Sequence, residues 1–196
     1  MNYELFKSIH NLSGHSNALD NFMVFITDKA IYIFALALLV LWIFGGKSMK
    51  RAVLYAGGTG VIALVVNVLI AQIYYEPRPF VTHHIQTLIP HAEDSSFPSD
   101  HSTGAFTIAI AMWFRYKKIG IPMFILALLT GFSRIWAGLH YPFDVLGSLM
   151  VAIVVSYVIV KLSRLFDPLV NWIISIYDSI FGKRSISNKS SRTKNF

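Results

Sequence analysis

Long apolar runs, separated by short polar segments, dominate the chain. A helix needs roughly 20 apolar residues to cross about 30 Å of hydrocarbon, because each residue rises about 1.5 Å. The run at 52–73 reaches this length alone, with Thr59 and Asn67 as its strongly polar interruptions. The pattern therefore predicts an all-α integral membrane helical bundle of about five transmembrane helices, at 31–44, 52–73, 102–114, 119–132 and 142–160.

Two further segments have helical periodicity but are too polar to cross a membrane. Leu5, Phe6, Ile9 and Leu12 predict a short amphipathic helix on the outer surface. Segment 165–181 is predicted to be an interfacial helix, because its polar residues form one stripe: Asp167, Asn171, Ser175 and Asp178. Segment 20–27 is predicted to enter the first span at an angle, with Thr27 or Asp28 as its cap.

Charge placement predicts the orientation of the bundle. If the N-terminus lies outside, 13 of the 17 Lys and Arg residues fall inside, as is typical of short cytoplasmic segments. Of the ten acidic residues, only Asp167 and Asp178 fall inside. The net charge of +7 therefore indicates topology and contact with anionic membrane lipids, not nucleic-acid binding. The absence of cysteine excludes disulfides and a cysteine nucleophile.

The chain is predicted to be one domain with a tail. No repeat of about 20 to 50 residues and no Gly/Ser linker divides it, so 1–182 is assigned to a single membrane domain. Segment 183–196, rich in Ser, Lys and Asn, is predicted to be a basic, disordered cytoplasmic tail. No cleavable signal peptide is predicted, since the N-terminus lacks a basic start followed by an apolar core.

With this topology, two polar loops at 74–98 and 134–141 reach the outer surface. Ser99 is predicted to cap a helix whose first turn holds Asp100 and His101. Free N–H groups and the helix dipole make such a turn an anion site. Arg78 and Arg134 add forked donors that suit phosphate oxygens. The loops therefore predict a phosphate-binding site on the outer face.

The second loop contains a candidate nucleophile. His140 precedes Asp144 by four residues, and Pro142 lies between them as a plausible first helical residue. Asp144 is expected to accept a hydrogen bond from one imidazole nitrogen, so that the other nitrogen faces the site. An oriented, basic imidazole beside two arginines and a helix N-terminus suits nucleophilic attack on phosphorus.

Three ordered motifs resemble those of the type 2 phosphatidic acid phosphatase superfamily. SRIWAGLHYPFD at 133–144 matches the family's SR, five residues, H, three residues, D signature. FPSDH at 97–101 resembles its PSGH motif, and EPRP at 76–79 resembles the end of its K, six residues, RP motif. The resemblance implies a helical membrane enzyme that hydrolyses lipid phosphates without a metal or another cofactor.

The resemblance also implies residue roles. His140 would attack phosphorus and form a phosphohistidine, Asp144 would orient it, and His101 would protonate the leaving oxygen. The phosphoryl oxygens would be held by backbone amides near Asp100 and His101 and by three side chains: Arg78, Ser99 and Arg134.

Two positions depart from the family motifs. Ala71 stands where the family has lysine, and Asp100 stands where it has glycine. The site therefore loses one positive charge and gains one negative charge. A phosphate leaving group is far more stable than an alkoxide, so a diphosphate substrate needs less electrostatic help. We therefore hypothesise that these departures favour a diphosphate.

The expected substrate is a polyprenyl diphosphate, whose tail stays in lipid while its headgroup reaches the outer face of a bacterial membrane. Hydrolysis of undecaprenyl diphosphate would recycle the cell-wall lipid carrier and confer bacitracin resistance. One alternative is the same chemistry on phosphatidylglycerol phosphate or phosphatidic acid. Others are a transporter with intramembrane histidines and a haem-binding bundle that uses His101 and His140 as axial ligands.

A cluster of histidines in the first outer loop is predicted to have no catalytic part. The cluster consists of His83, His84 and His91. Its spacing matches no metal site, and solvated loop histidines are commoner than metal ligands. We therefore predict solvated side chains for all three.

Overall fold

The structure, a computed structural model, describes residues 1–83 and 85–181. Its helices are α1 (Asn2–His10), α2 (Asn17–Phe44), α3 (Lys47–Ile73), α4 (Pro79–His83), α5 (Asp100–Arg115), α6 (Lys117–Trp136), α7 (Pro142–Lys161) and α8 (Ser163–Phe181). The predicted tail at 183–196 and His84 lie outside the described residues. The helices confirm the predicted all-α bundle.

Five of these helices lie where the five spans are predicted. Of the described helices, α2, α3, α6 and α7 are long and apolar enough to cross a membrane. Helix α5 has 16 residues and is therefore only about 24 Å long. It packs against α2, α3, α6 and α7. Crossing by four helices is thus supported by length and composition, and crossing by α5 stays a prediction.

Helix α5 forms the centre of the bundle. Every residue from Ser102 to Met112 is buried, because neighbouring helices surround this part of α5. Phe106 and Met112 belong to the main core together with Phe34 of α2 and Ala127 of α6. Close packing of such a core resists displacement of its members. The first turn of α5, where the site residues begin, is therefore held by the whole bundle.

The start of the first long helix differs from the prediction. Helix α2 runs without a break from Asn17, and Ser16 occupies its N-cap position. Thr27 is buried within the helix, and its hydroxyl donates a 2.8 Å hydrogen bond to Ser133 of α6. The predicted cap at Thr27 or Asp28 is therefore wrong, because both residues lie inside one continuous helix, where no free helix start needs a cap.

Helix α8 has the predicted amphipathic character, and several residues of its polar stripe contact α3. Asp167 accepts a hydrogen bond from the Tyr55 hydroxyl and forms an ion pair with Arg51. Asp178 lies 3.2 Å from the Lys50 ammonium group. The stripe therefore binds α3 as well as facing water, and an interfacial location of α8 stays a prediction.

Helix α1 folds over the loop that precedes α7. Its Phe6 side chain is 1% exposed and packs against Ile135 and Tyr141. The Asn2 side chain accepts a hydrogen bond from the Phe143 amide, at 3.1 Å. The predicted short helix is confirmed, but its main apolar residue contacts protein instead of lipid.

Different contacts between helices mark the two ends of the bundle. At one end, Trp136 of α6 donates a hydrogen bond to Asp20 of α2, at 2.8 Å. At the opposite end, Tyr116 contacts Ser48 between α5 and α3. Helices α5 and α7 begin at the first end, and α8 packs at the second. The three sequence motifs are therefore brought to the end opposite α8.

Candidate active site

Arg78 of the first motif contacts the His140 imidazole of the third, and Ser96, just before the second motif, contacts it as well. The Arg78 guanidinium Nη1 lies 2.9 Å from His140 Nε2, although the two residues are far apart in the chain. Arg78, Arg134 and His140 are all buried, with exposed fractions of 4%, 2% and 1%. Two buried guanidinium groups near an imidazole require anionic or dipolar partners. The predicted cationic cluster is therefore present in the structure.

The backbone of the first loop holds Arg78 in place. Pro77 and Ser95 form an isolated antiparallel bridge, and the Ser96 amide donates to the Glu76 carbonyl at 2.7 Å. Arg78 Nη1 also donates to the Leu139 carbonyl at 2.9 Å. The loop is therefore closed at its base, which brings residues 94–96 beside the arginine and the histidine.

The orientation of His140 follows from its two hydrogen bonds. Gly138 adopts a positive φ of 83°, a conformation that favours glycine, and so turns the chain after α6. His140 Nδ1 donates to the Ser96 carbonyl at 2.9 Å. Arg78 can only donate, so His140 Nε2 must be the unprotonated nitrogen. The nitrogen that faces the arginine is therefore the one with the lone pair.

Asp144 contributes to this orientation less directly than expected. Its Oδ2 lies 3.5 Å from His140 Nδ1, whereas the Ser96 carbonyl is the nearer acceptor. The Asp144 carboxylate accepts hydrogen bonds from the Ser96 hydroxyl and, at 2.7 Å, from the Tyr141 amide. Ser96 thus connects the aspartate with the histidine, and the sequence patterns do not predict its part.

The buried position of His140 keeps its imidazole neutral. Burial lowers the pKa of His140 well below its usual value, and the nearby Arg134 and Arg78 lower it further. The hydrogen bond to the Ser96 carbonyl opposes this shift. A neutral imidazole has the free lone pair that a nucleophile needs.

Ser99 caps α5 as predicted. Its hydroxyl oxygen accepts from the Ser102 amide at 3.5 Å and from the Ser102 hydroxyl at 3.0 Å. Ser148 of α7 donates to the Ser99 carbonyl at 2.9 Å, which ties the start of α5 to α7. His101 follows in the first turn and is partly buried. The predicted capped start of α5 is therefore present, and anion binding by it stays a prediction.

The Asp100 side chain contacts α3 and is not suited to bind an anion. Its carboxylate accepts a 2.8 Å hydrogen bond from the Asn67 amide group of α3 and is exposed on its other side. Asp100 lines a cavity of about 250 Å³ together with Ala71 and Gln72. The two departures from the family motifs therefore lie beside each other. The structure assigns the Asp100 side chain to an interhelical contact, and phosphate binding through its backbone amide stays a prediction.

Arg134 has an unused donor in the site. Its Nη2 donates to His91 Nε2 at 3.0 Å, while the buried Nε has no hydrogen-bond partner in the described residues. Buried donors are almost always paired in native proteins, so an orphan of this kind indicates a ligand or water. A phosphoryl oxygen is a suitable acceptor for this group.

The first outer loop contributes more to the site than the sequence predicts. His91 contacts Arg134, and Asp94 Oδ1 accepts from Arg78 Nε at 2.7 Å. Burial lowers the pKa of His91, and the nearby arginines lower it further. His83 stacks on Tyr3 with ring centroids 3.6 Å apart. The prediction of solvated histidines is therefore wrong for His83 and His91.

The described part of the chain contains no cluster of potential metal ligands. Across residues 1–83 and 85–181, no three His, Asp or Glu side chains are grouped to hold a metal ion. Metal independence of the reaction stays a prediction, because it concerns catalysis.

The fold and the site together define a membrane helical bundle with a buried cluster of histidine and arginine side chains at one end. The model of the PAP2 superfamily matches residues 51–167, a range that includes all three motifs. The chain belongs to the PAP2 superfamily.

Individual relatives cover most of the chain. Undecaprenyl-diphosphatase BcrC of Bacillus subtilis is 57% identical over 93% of this chain and 95% of its own length. The bacitracin transport permease protein BcrC of Bacillus licheniformis is 30% identical over 100% of this chain and 98% of its own length. The crystal structure of Aquifex aeolicus LpxE shares 28% identity with a TM-score of 0.68, covering 81% of this chain and 94% of LpxE.

Proposed function

We propose that this protein is a membrane phosphatase that converts undecaprenyl diphosphate into undecaprenyl phosphate and inorganic phosphate. The site supplies a neutral imidazole, two buried guanidinium groups and a capped helix start, which together suit phosphoryl transfer. The Bacillus subtilis relative, named as an undecaprenyl-diphosphatase, supports the choice of lipid. Such an activity recycles the cell-wall lipid carrier and protects against bacitracin.

One observation carries the chemical part of the proposal. His140 Nδ1 is hydrogen-bonded to a carbonyl, so the lone pair of Nε2 faces Arg78. Because Arg78 can also bind a phosphoryl oxygen, a phosphate held by this arginine lies next to the nucleophile.

The proposed reaction has two steps. Nε2 of His140 forms a bond to the terminal phosphorus while the bond from phosphorus to the bridging oxygen breaks, and undecaprenyl phosphate leaves. His101 donates a proton to the departing oxygen. Water then attacks the phosphohistidine, His101 takes a proton from that water, and inorganic phosphate leaves as Nε2 regains its electron pair.

In this reaction the two arginines stabilise charge on the phosphoryl oxygens. Arg78 and Arg134 are buried, so their attraction for the phosphoryl group is screened less than at an exposed surface. Ser99 and the first turn of α5 add hydrogen-bond donors. Asp144 orients His140 together with Ser96.

We also propose that the site faces the outside of a bacterial membrane and that the C-terminus is cytoplasmic. The support is the distribution of charge along the sequence: most Lys and Arg residues belong to the segments that the predicted topology assigns to the side opposite the motifs. A headgroup at the outer interface then reaches His140 while the prenyl tail stays in lipid.

The test is phosphate release from undecaprenyl diphosphate by the purified protein in excess EDTA. We expect undiminished turnover of the parent protein, and loss of nearly all activity in His140→Ala. His15→Ala is the matched control, because His15 is exposed and lies outside the site. Loss of parent activity in EDTA contradicts metal independence, and full activity of His140→Ala contradicts the assigned nucleophile.

The same assay separates the rival lipids. Phosphatidylglycerol phosphate and phosphatidic acid present a terminal phosphate on a diacyl lipid, whereas undecaprenyl diphosphate presents a diphosphate on a prenyl chain. We expect the highest kcat/KM with undecaprenyl diphosphate. A higher value with either diacyl lipid contradicts the proposed substrate and leaves the histidine mechanism in place.

A transport function, which the name of the Bacillus licheniformis relative suggests for that protein, has less support here. Transporters place ionisable residues near the middle of the membrane. In α3 and in α5, α6 and α7, the Asp, Glu, Lys, Arg and His residues lie within the first two turns or the last turn. Helix α2 carries Asp28 and Lys29 near its middle, but both side chains are exposed on the outside of the bundle. Between its two ends, the interior of the described bundle therefore lacks the charged groups that an ion route usually has.

A further inference from the structure

A short turn of the first outer loop occupies both guanidinium groups of the site. Arg78 Nε donates to Asp94 Oδ1 at 2.7 Å, and Arg134 Nη2 donates to His91 Nε2 at 3.0 Å. The Arg78 side chain is 5% exposed, whereas the Asp94 side chain is 62% exposed. The carboxylate therefore reaches from solvent onto a buried cation, as an incoming anionic headgroup would.

Nη1 of Arg78 is also engaged, whereas Nη2 has one long contact, 3.4 Å from the Ser95 carbonyl. Nη1 donates to the Leu139 carbonyl and to His140 Nε2, both at 2.9 Å. While this arrangement persists, the lone pair of the nucleophile accepts a hydrogen bond and cannot attack phosphorus. Productive binding therefore requires a ligand that displaces Asp94 and draws Arg78 away from His140.

Displacement of Asp94 depends on the charge of the ligand. A phosphodiester headgroup carries one negative charge, the same as the carboxylate, so the exchange gives Arg78 no additional attraction. A terminal phosphate carries about −1.5 to −2 at neutral pH and is the stronger competitor. The released carboxylate returns to water at little cost, because it is already largely exposed.

We propose that Asp94 is a specificity-determining residue, whose carboxylate keeps singly charged phosphodiester headgroups off Arg78 and yields to a terminal phosphate. The role rests on the proposed function, because it concerns the same site. Such discrimination is needed because phosphodiester lipids of the surrounding membrane compete with the substrate headgroup for the site. His91, in the same turn as Asp94, accepts a hydrogen bond from Arg134, so this turn contacts both arginines.

The neighbouring residue Glu93 provides a matched control. It is an exposed carboxylate one position before Asp94, and no ion pair or hydrogen bond of its side chain is found in the described residues. Asp94→Asn and Glu93→Gln remove the same charge from the same turn. Only the first removes the ion pair with Arg78.

The test measures phosphate release from undecaprenyl diphosphate by the full chain in detergent micelles, with increasing phosphatidylglycerol as a singly charged competitor. We expect the inhibitory concentration to fall about two- to fivefold in Asp94→Asn, the upper part of the range for a partly exposed ion pair. For Glu93→Gln we expect a change of less than about twofold. An equal response of the two variants overturns the proposal.

A binding measurement keeps the test decisive if a variant is inactive. Thermal unfolding of the parent and of both variants is recorded with and without phosphatidylglycerol in the micelles. A stabilisation by this lipid that appears only in Asp94→Asn supports the proposal, and its absence overturns it. If the parent releases no phosphate, the proposed function fails, while this second measurement still decides the role of Asp94.

Discussion

At the scale of single residues, the site depends on where one imidazole keeps its proton. The Ser96 carbonyl binds His140 Nδ1, and Arg78 binds Nε2. Together they select the tautomer whose lone pair faces the phosphate site. Burial and the neighbouring arginines keep that imidazole neutral. The protein therefore selects the neutral tautomer before any substrate arrives, and attack becomes possible once a ligand draws Arg78 away from Nε2.

The lowered pKa of His140 predicts a pH dependence of stability. The unfolded chain binds a proton to this histidine near pH 6.5, whereas the folded protein does so only at lower pH. His140 therefore contributes stability above about pH 6.5, and this contribution is lost as the pH falls below that value. Thermal unfolding at pH 7, 6 and 5 should show a smaller loss in His140→Asn than in the parent. Parallel losses in the two proteins contradict this prediction.

The link between Ser96 and Asp144 predicts a catalytic defect without a binding defect. Ser96→Ala removes the hydroxyl that donates to the buried carboxylate, an interaction of about 1.5–3 kcal/mol. We expect kcat to fall about ten- to a hundredfold, with KM nearly unchanged. Ser95→Ala is the control, because the Ser95 hydroxyl bonds only to the Phe97 carbonyl. A rise in KM with constant kcat would instead place Ser96 in phosphate binding.

At the scale of elements, helix ends position the chemistry and packing holds those ends. The first turn of α5 starts at the Ser99 cap, and Ser148 of α7 binds the Ser99 carbonyl. Gly147 lies against the Phe97 ring, so closely that a side chain at this position would clash. The segment before α5 and the start of α7 are thereby brought together, with His140 immediately before α7.

Helix α1 is expected to support the site from outside. Phe6 is buried against Tyr141, the residue after the proposed nucleophile. Phe6→Ala removes a buried aromatic ring, a change that costs about 3–5 kcal/mol in protein cores. We expect a lower melting temperature and a fall in kcat/KM of about tenfold or more. Leu5→Ala, at an exposed neighbouring position, should stay within about twofold of the parent. Equal effects of the two changes contradict a supporting role.

At the scale of the whole molecule, the bundle separates an anion site from a basic surface. Helix α5 crosses the centre, so its buried middle connects the site end with the end where α8 packs. At that second end, Lys50 and Arg51 of α3 pair with carboxylates of α8. The positive-inside pattern supports the proposal that this end faces the cytoplasm.

The absence of cysteine allows a direct test of this orientation. Gln86→Cys places one thiol in the first outer loop, and Lys118→Cys places one at the opposite end; both positions are exposed. A membrane-impermeant maleimide applied to intact cells should label Gln86→Cys, and Lys118→Cys only after permeabilisation. The reverse pattern contradicts a site on the outer face.

Sequence patterns alone located most helices and the main site residues. Apolar runs predict the bundle, because a membrane span depends on local length and composition. Ser99 and Pro142 mark helix starts through the conformational preferences of single residues. Arg78, Arg134 and His140 follow from motifs whose spacing is short. All of these signals lie within a few residues of the feature that they predict.

Only the tertiary structure decided which groups surround those residues. Ser96 and Asp144 are 48 positions apart, and Thr27 and Ser133 are 106 apart, so no local pattern contains either contact. The same holds for Asp94 on Arg78 and for Phe6 beneath Tyr141. These contacts form because helix packing closes long loops over one end of the bundle. The sequence therefore determined which chemical groups are available, and packing determined which of them meet.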